Sequence, residues 1–376
     1  MLRHQADLDQ RLDLSRTDPR LHDVLRLGAY QLRALTRVPA YAAVSTSVEL
    51  ARELGGEGGA RYVNQVLRRF AREGSEERGA VPSHPDWLVA RWRKHFGVGE
   101  TTRLIAWNDT KPALTVQPVR WTADELRGRL TEAGFGVRGA PMGAGFQISA
   151  AGTAPRSLLP DQLPGFAEGA FIVQDAAHAL VCRFAAIPAG TVVYDACAAP
   201  GGKAVMLERA GARVIAGDPR RERVTRLADT ARRAGVAIRV AVADLLAAPF
   251  APGTLAAVLV DAPCSATGTM ARHPDARWRL TRGVMARAAA RQRGLLEAAG
   301  RLVRPGGLLV YATCSLEPEE NRDIVNGFLA RHPEFTRAPA EGAVPASLYS
   351  SDGDFHSLPQ RHGMDGAFAS RLARAR

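Results

Sequence analysis

The sequence predicts an α/β protein. An open, mostly parallel sheet with helices on both faces follows a small α/β insert and an all-helical N-terminal region. Three observations predict this. From residue 166 onward, short runs rich in Val, Ile and Leu alternate with helical segments. Residues 20–72 carry apolar side chains at helical spacing. Between these regions lies one strand–helix–strand pattern. Strands that alternate with helices and are themselves continuously apolar belong to sheets buried on both faces.

Taken in order, residues 1–19 are polar and are expected to fray. Residues 20–35 place Leu21, Val24, Leu25, Leu27, Ala29, Leu32 and Leu35 on a helical stripe, and Pro39 interrupts it. Residues 44–56 and 60–73 read as two further helices, with glycines 55, 56, 58 and 59 punctuating the turn between them. A Gly/Ser/Glu-rich stretch at 74–83 reads as a linker, and residues 86–96 as a helix. The strand 113–119, the helix 122–134 and a second strand at 136–142 form the insert, with Thr122 and Glu125 as a capping box. Strands are then expected at 191–197, 213–218, 237–244, 255–263 and 307–314, and helices at 203–210, 220–234 and 284–303. The expected domains are 1–75, helical and partial; 76–165, the linker and a small RRM-like insert; and 166–376, the catalytic sheet.

The chain has 376 residues, with 50 Lys or Arg against 38 Asp or Glu, a formal charge of +12. Only Lys94, Lys111 and Lys203 are lysines. Residues 1–160 carry 23 basic and 17 acidic side chains and residues 161–376 carry 27 and 21, so each part contributes +6. An evenly basic protein suits a long polyanion better than a localised basic arm does. No apolar stretch reaches membrane-spanning length, and the charged N-terminus is no signal peptide. Cys182, Cys197, Cys264 and Cys314 form no CxxC pair, which argues against a zinc ribbon and a disulfide scaffold. A cytoplasmic monomer with free thiols, no metal and no membrane association is the expectation.

The first catalytic strand ends at Asp195 and runs into Cys197-Ala198-Ala199-Pro200-Gly201-Gly202-Lys203. Paired glycines let a backbone approach a ligand closely before a helix starts. The pattern is neither GxGxxG nor a P-loop. Further acids close the next strands: Asp218, Asp244 and Asp261. Ligands of open α/β sheets bind beyond these carboxyl ends. A ring of carboxylates repels the pyrophosphate of a dinucleotide and suits a cationic nucleoside, so S-adenosylmethionine is the expected cofactor.

Cys264 and Cys314 follow the fourth and fifth strands, flanked by Asp, Pro, Thr and Ser, whereas Cys182 sits in an apolar helix as an ordinary buried thiol. A methyl acceptor that needs a thiol is a pyrimidine C5. Thiolate addition at C6 makes C5 nucleophilic. A free thiol, with a pKa of about 8.5, is only a few per cent thiolate at neutral pH and needs activation. An acid such as Asp261 at the Watson–Crick edge would stabilise the adduct.

The blocks DACAAPGGK, VDAPCSATGTMARHPDARW and GGLLVYATCSLEPEEN closely resemble the RsmB/Fmu-type small-subunit ribosomal RNA (cytosine-5) methyltransferases of the wider NOL1/NOP2/sun family. FIVQDAAHAL (171–180) and HGMDGAF (362–368) fit the same pattern. LRLGAYQLRALTRVPAYAAVSTSVELA and YVNQVLRRF resemble the last helices of a NusB-like RNA-binding domain. The resemblance implies a Rossmann-like class I methyltransferase sheet and methylation of cytosine C5 in 16S ribosomal RNA, free or in an assembling small subunit. It implies Cys314 as the C6 nucleophile, Cys264 as the residue assisting release, and Asp261 as the group orienting cytosine. Residues 197–203, Asp218 and Asp244 would hold the cofactor, with Asp261 at its edge. Lys203 would cap the crevice or serve a phosphate, and Arg272 would face RNA. Pro219 after Asp218 and Ala367 in the Asp365–Phe368 block depart from the family pattern. Methylation of tRNA, or a non-catalytic role in ribosome assembly, is the alternative. Binding alone would need neither the cysteines nor the acids.

Overall fold

The computed structural model describes residues 1–72, 83–150 and 158–376, so the expected linker lies almost wholly outside the described residues. The chain divides into two compact units, Met1–Thr110 with His273–Arg279, and Lys111–Arg272 with Leu280–Arg376.

In the first unit, α1 (Gln5–Leu12), α2 (His22–Ala34), α3 (Ala40–Arg72) and α4 (Asp86–Asp109) follow one another. The expected fraying of residues 1–19 is overturned, because Leu8 and Leu12, one helical turn apart, are buried against Leu25, Val63 and Leu67. Gly56, at φ 64°, breaks α3 into the two segments its glycines predict. The helix expected at 86–96 continues past Gly97, where the backbone leaves helical geometry, to Asp109. From the returning segment, the wholly buried Arg277 side chain donates to Asp109 (2.7 Å) and to the carbonyls of Ser83 and Asn108.

The second unit opens with β1 (Leu114–Pro118), α5 (Ala123–Glu132), β2 (Phe135–Gly139), β3 (Phe146–Ala150) and β4 (Phe171–Val173). They form an antiparallel sheet of order β2-β3-β1-β4. The capping box is present: Thr122 accepts from the Glu125 N–H while Glu125 accepts from the Thr122 N–H. Val116, Leu126, Leu130, Phe146, Ile148 and Phe171 make the core beneath the sheet. β3 and β4 are additions to the predicted strand–helix–strand unit.

The larger sheet follows: α6 (Ala176–Ala185), β5 (Val192–Asp195), α7 (Gly202–Arg209), β6 (Arg213–Asp218), α8 (Arg221–Ala234), β7 (Arg239–Val242) and β8 (Leu255–Asp261). Then come α9 (Ala276–Arg279, in the first unit), α10 (Arg282–Leu302), β9 (Val303–Thr313), α11 (Arg322–Arg331), β10 (Phe335–Arg337), β11 (Phe355–Ser357), α12 (Pro359–His362) and β12 (Ala367–Arg374). The order is β10-β12-β9-β8-β5-β6-β7, with β11 paired to β12. All five predicted strands are present and mutually parallel, while β12 is antiparallel to β9. One face packs Val258, Val260, Leu296, Leu309 and Phe328; the other packs Val193, Leu207, Val214, Leu227 and Val310. Chain order reverses direction between β5 and β8, and that switch point opens a crevice beyond the strand ends. Among the described residues no helix is long and apolar enough to cross a membrane.

Candidate active site

Three acids close strands around the switch point. Asp195 ends β5 and is wholly buried, and among the described residues no side-chain donor reaches its carboxylate. Burial, reinforced by the nearby Asp261 charge, raises its pKa to about 7. Asp218 ends β6, also buried. Since Pro219 has no N–H, the Arg220 N–H closes the turn by donating to Asp218 Oδ1 (3.0 Å), and Arg223 pairs with the other oxygen at 3.2 Å. Asp244 differs: it lies two residues beyond β7, is exposed, and caps a short turn by accepting from the Leu246 N–H (3.0 Å).

The turn between β5 and α7 carries the other expected cofactor residues. Ala198 and Ala199 are buried, Cys197 is half-buried, and Pro200 is exposed. Gly201 adopts φ 106°, a conformation that favours glycine, and opens α7. Arg223 donates to the Ala199 carbonyl (2.9 Å), tying this turn to the one carrying Asp218. Burial pushes the Cys197 thiol up to about 12, so it is a neutral wall of the crevice. Cys182 is likewise buried and pushed up to about 12, as expected for a structural thiol.

Lys203 resolves an ambiguity left by the sequence. Its Nζ donates to Asp261 Oδ2 at 2.7 Å and lies 3.1 Å from His178 Nδ1 on α6. Burial opposes its charge, but the Asp261 carboxylate outweighs burial and raises its pKa. Burial and the Lys203 charge lower His178 to about 4, so the imidazole is neutral and can accept from the ammonium. Lys203 therefore holds Asp261 at the end of β8.

Cys264 Sγ and Cys314 Sγ stand 3.1 Å apart. Two features of the fold bring them together: β8 and β9 are parallel neighbours, with Asp261 opposite Ala312, and the turns after them are cross-braced. Ser265 and Ser315 share a hydroxyl contact (3.2 Å), Thr267 accepts from the Leu316 N–H (2.8 Å), and the Gly268 N–H donates to the Cys314 carbonyl (2.9 Å). Glu320, wholly buried, accepts from the Ser265 N–H and hydroxyl. Glu320 escaped sequence reasoning because EPEEN reads as a solvated helix start. The hydrogen bond to Cys314, with burial behind it, raises the Cys264 thiol well above its ordinary value.

Arg272 does not face outward as expected. Its guanidinium joins Asp175 Oδ2 (2.6 Å) and Asp365 Oδ2 (2.8 Å) and donates to the Ala113 carbonyl (3.2 Å). Asp175 caps α6 and also accepts from the Asp365 N–H. The physical reason is that two buried carboxylates need a cation, and a planar fork serves both.

The crevice fits S-adenosylmethionine by its donor set. Buried carboxylates at Asp195 and Asp218 are acceptors for hydroxyl and ammonium groups, and the Gly201 turn lets backbone approach a nucleoside closely.

Comparisons with known proteins agree with this chemistry. The family described as "16S rRNA methyltransferase RsmB/F" matches residues 186–373. The "NusB family" matches residues 1–72, and the "Methyltr_RsmF/B-like, ferredoxin-like domain" matches residues 84–152. The Synechocystis sp. protein named "Probable ribosomal RNA small subunit methyltransferase B" is 34% identical over 100% of this chain and 89% of its own length. The Xylella fastidiosa ribosomal RNA small subunit methyltransferase B is 37% identical over 98% of this chain and 87% of its own. The crystal structure of PH0851 superposes with a TM-score of 0.82 at 26% identity, covering 99% of this chain and 88% of that one. The chain belongs to the RsmB/F family of 16S rRNA methyltransferases, S-adenosylmethionine-dependent enzymes, and carries a NusB-family helical N-terminus.

Proposed function

We propose that this methyltransferase acts on cytosine C5 in small-subunit ribosomal RNA through a covalent adduct between Cys314 and C6. The observation that carries the reading is the thiol pair, 3.1 Å apart at the ends of β8 and β9 beside the Lys203–Asp261 pair. Methylation of oxygen or of an exocyclic nitrogen needs no thiol, and two would be superfluous.

Cys314 Sγ forms the bond to C6, and the electron pair of the 5,6 double bond moves to make C5 nucleophilic. Asp261, held by Lys203, hydrogen-bonds the Watson–Crick edge and orients the ring. Residues 197–203, Asp195 and Asp218 would hold S-adenosylmethionine in the crevice, where it would supply an electrophilic methyl group to C5 and leave as its neutral thioether. A base then removes the C5 proton, whose electron pair restores the 5,6 double bond as Cys314 leaves C6 as the thiolate. Cys264 assists that release. The target base leaves its stack to reach the crevice. Asp244, exposed and capping a turn, fits a rim position better than the pocket floor.

The ribosomal substrate rests on the family and on the relatives' names. The test is incubation with ribosomal RNA and methyl-labelled S-adenosylmethionine, followed by bisulfite sequencing. Label recovered as 5-methylcytosine in 16S RNA is expected. Label on another atom overturns the chemistry, and label only in tRNA overturns the substrate.

A further inference from the structure

Glu320 is a buried titratable group that the reaction above does not use. Its carboxylate lies wholly inside the protein, yet the groups that hold it are neutral: the Ser265 N–H at 3.2 and 3.0 Å, the Ser265 hydroxyl at 3.0 Å, and the neighbouring Ser315 hydroxyl. Burial raises the Glu320 pKa, the Ser265 and Ser315 donors favour the charged form, and a clamp alone could be built from amides. Ser265 directly follows Cys264, and Ser315 directly follows Cys314. The carboxylate therefore sits behind both thiols, with its own backbone held by the Tyr311 hydroxyl at 2.6 Å.

We propose that Glu320 is a positioning residue whose buried charge links the two cysteine turns and assigns the remaining proton of the thiol pair to Cys264. When one of the two protons leaves, the negative charge resides on Cys314. The Cys264 S–H then donates to it across the 3.1 Å contact. A second negative charge beside Glu320 would be repelled in a low-dielectric site. Among the described residues, the other ionisable groups facing this cluster are Tyr311, Asp261 and Glu317 on the acidic side and Lys203 on the Cys314 side. Lys203 is the cation among them, and it too favours charge on Cys314. Nucleophile and partner thiol are thus distinguished by what lies behind them.

The inference rests on the two thiols being the catalytic pair, but its test needs neither RNA nor methyl transfer. The full-length protein is alkylated with iodoacetamide across a pH series, and each cysteine is followed by peptide mass spectrometry. In the unaltered protein Cys314 is modified first and Cys264 resists. Modification of Cys264 first overturns the proposal whatever any variant does. Glu320→Gln keeps the shape and removes the charge, and S-adenosylmethionine binding reports that the variant is folded. Its Cys264 alkylation rate at about pH 8 rises about tenfold. Glu320→Asp, which keeps the charge, restores slow alkylation of Cys264. A folded Glu320→Gln variant with an unchanged Cys264 profile overturns the assignment of the proton. If 16S RNA carries no new 5-methylcytosine while the alkylation order holds, the proposed reaction fails and this inference stands.

Discussion

Cys264 and Cys314 are 50 residues apart in sequence and 3.1 Å apart at sulfur. The contact exists because parallel β8 and β9 deliver both chains to one end of the sheet, and because hydroxyls and one carboxylate tie the following turns together. Neither thiol could be placed by its own turn alone.

The pair predicts opposite outcomes for two similar substitutions. Cys314→Ala removes the proposed nucleophile and is expected to lower methylation on the order of 10³-fold or more. Cys264→Ala leaves the nucleophile but impairs release, so a covalent RNA–protein species accumulates. Activity assays and a denaturing gel read the two. Full activity in Cys314→Ala, or no retarded band with Cys264→Ala, contradicts the assignment.

Gly268 is where the two turns press together. A Cβ there would lie 2.4 Å from the Gly366 carbonyl oxygen and 2.8 Å from that of Cys314, both backbone atoms that cannot swing aside. Gly268→Ala is expected to cost about 1–3 kcal/mol through overpacking and to depress activity further by moving Cys314. Gly128→Ala, on α5 with nothing within 4 Å, provides the contrast. It should be neutral or stabilise by about 0.4–1 kcal/mol. Thermal unfolding of both variants checks the pair.

Asp195 makes stability depend on pH in a stated direction. Its folded pKa is about 7, against an ordinary value of 3.8. Between those values the folded state holds a proton that the unfolded state has lost. The stabilisation is complete below about pH 4 and is lost as pH rises towards 7, at about 1.4 kcal/mol per pH unit. Asp195→Asn removes this slope, so denaturant unfolding of the two proteins from pH 4 to 8 should give converging curves at low pH. Parallel curves would refute the raised value. A cationic cofactor favours the charged carboxylate, so calorimetric affinity for S-adenosylmethionine should rise through the same interval.

Much of this was legible in the chain, for physical reasons that differ by element. The five parallel strands are short apolar runs ending in Asp or Thr-Cys, so periodicity located them and Asp195, Asp218, Asp261, Cys264 and Cys314 with them. β12 was hidden because Ser370, Arg371 and Arg374 interrupt its apolar pattern at the sheet's antiparallel end. α1 was hidden by its polarity, although Leu8 and Leu12 carry the i, i+4 spacing of a buried stripe. Glu320 was passed over and Arg272 was misread because an acid run and an arginine normally face water. Both are turned inward by partners far along the chain, which no local pattern encodes.

Arg272 makes that last point testable. If it faced RNA, its loss would lower affinity and reduce the dependence of binding on salt, since each phosphate contact releases counterions. Paired instead with Asp175 and Asp365, it compensates two buried carboxylates. Burial, together with the Asp175 charge, already raises Asp365 to about 7. Removing the cation in Arg272→Ala should therefore destabilise the protein by about 3 kcal/mol, in line with breaking a buried pair. Asp365→Asn in the same chain should recover part of that loss, because without Arg272 the Asp365 carboxyl must either stay charged and unpaired or take up a proton. Unfolding measurements on the single and double variants read this coupling. The salt dependence of RNA binding by the folded fraction should match that of the unaltered protein. A shallower slope with unchanged stability would return Arg272 to the RNA-facing role that the sequence suggested.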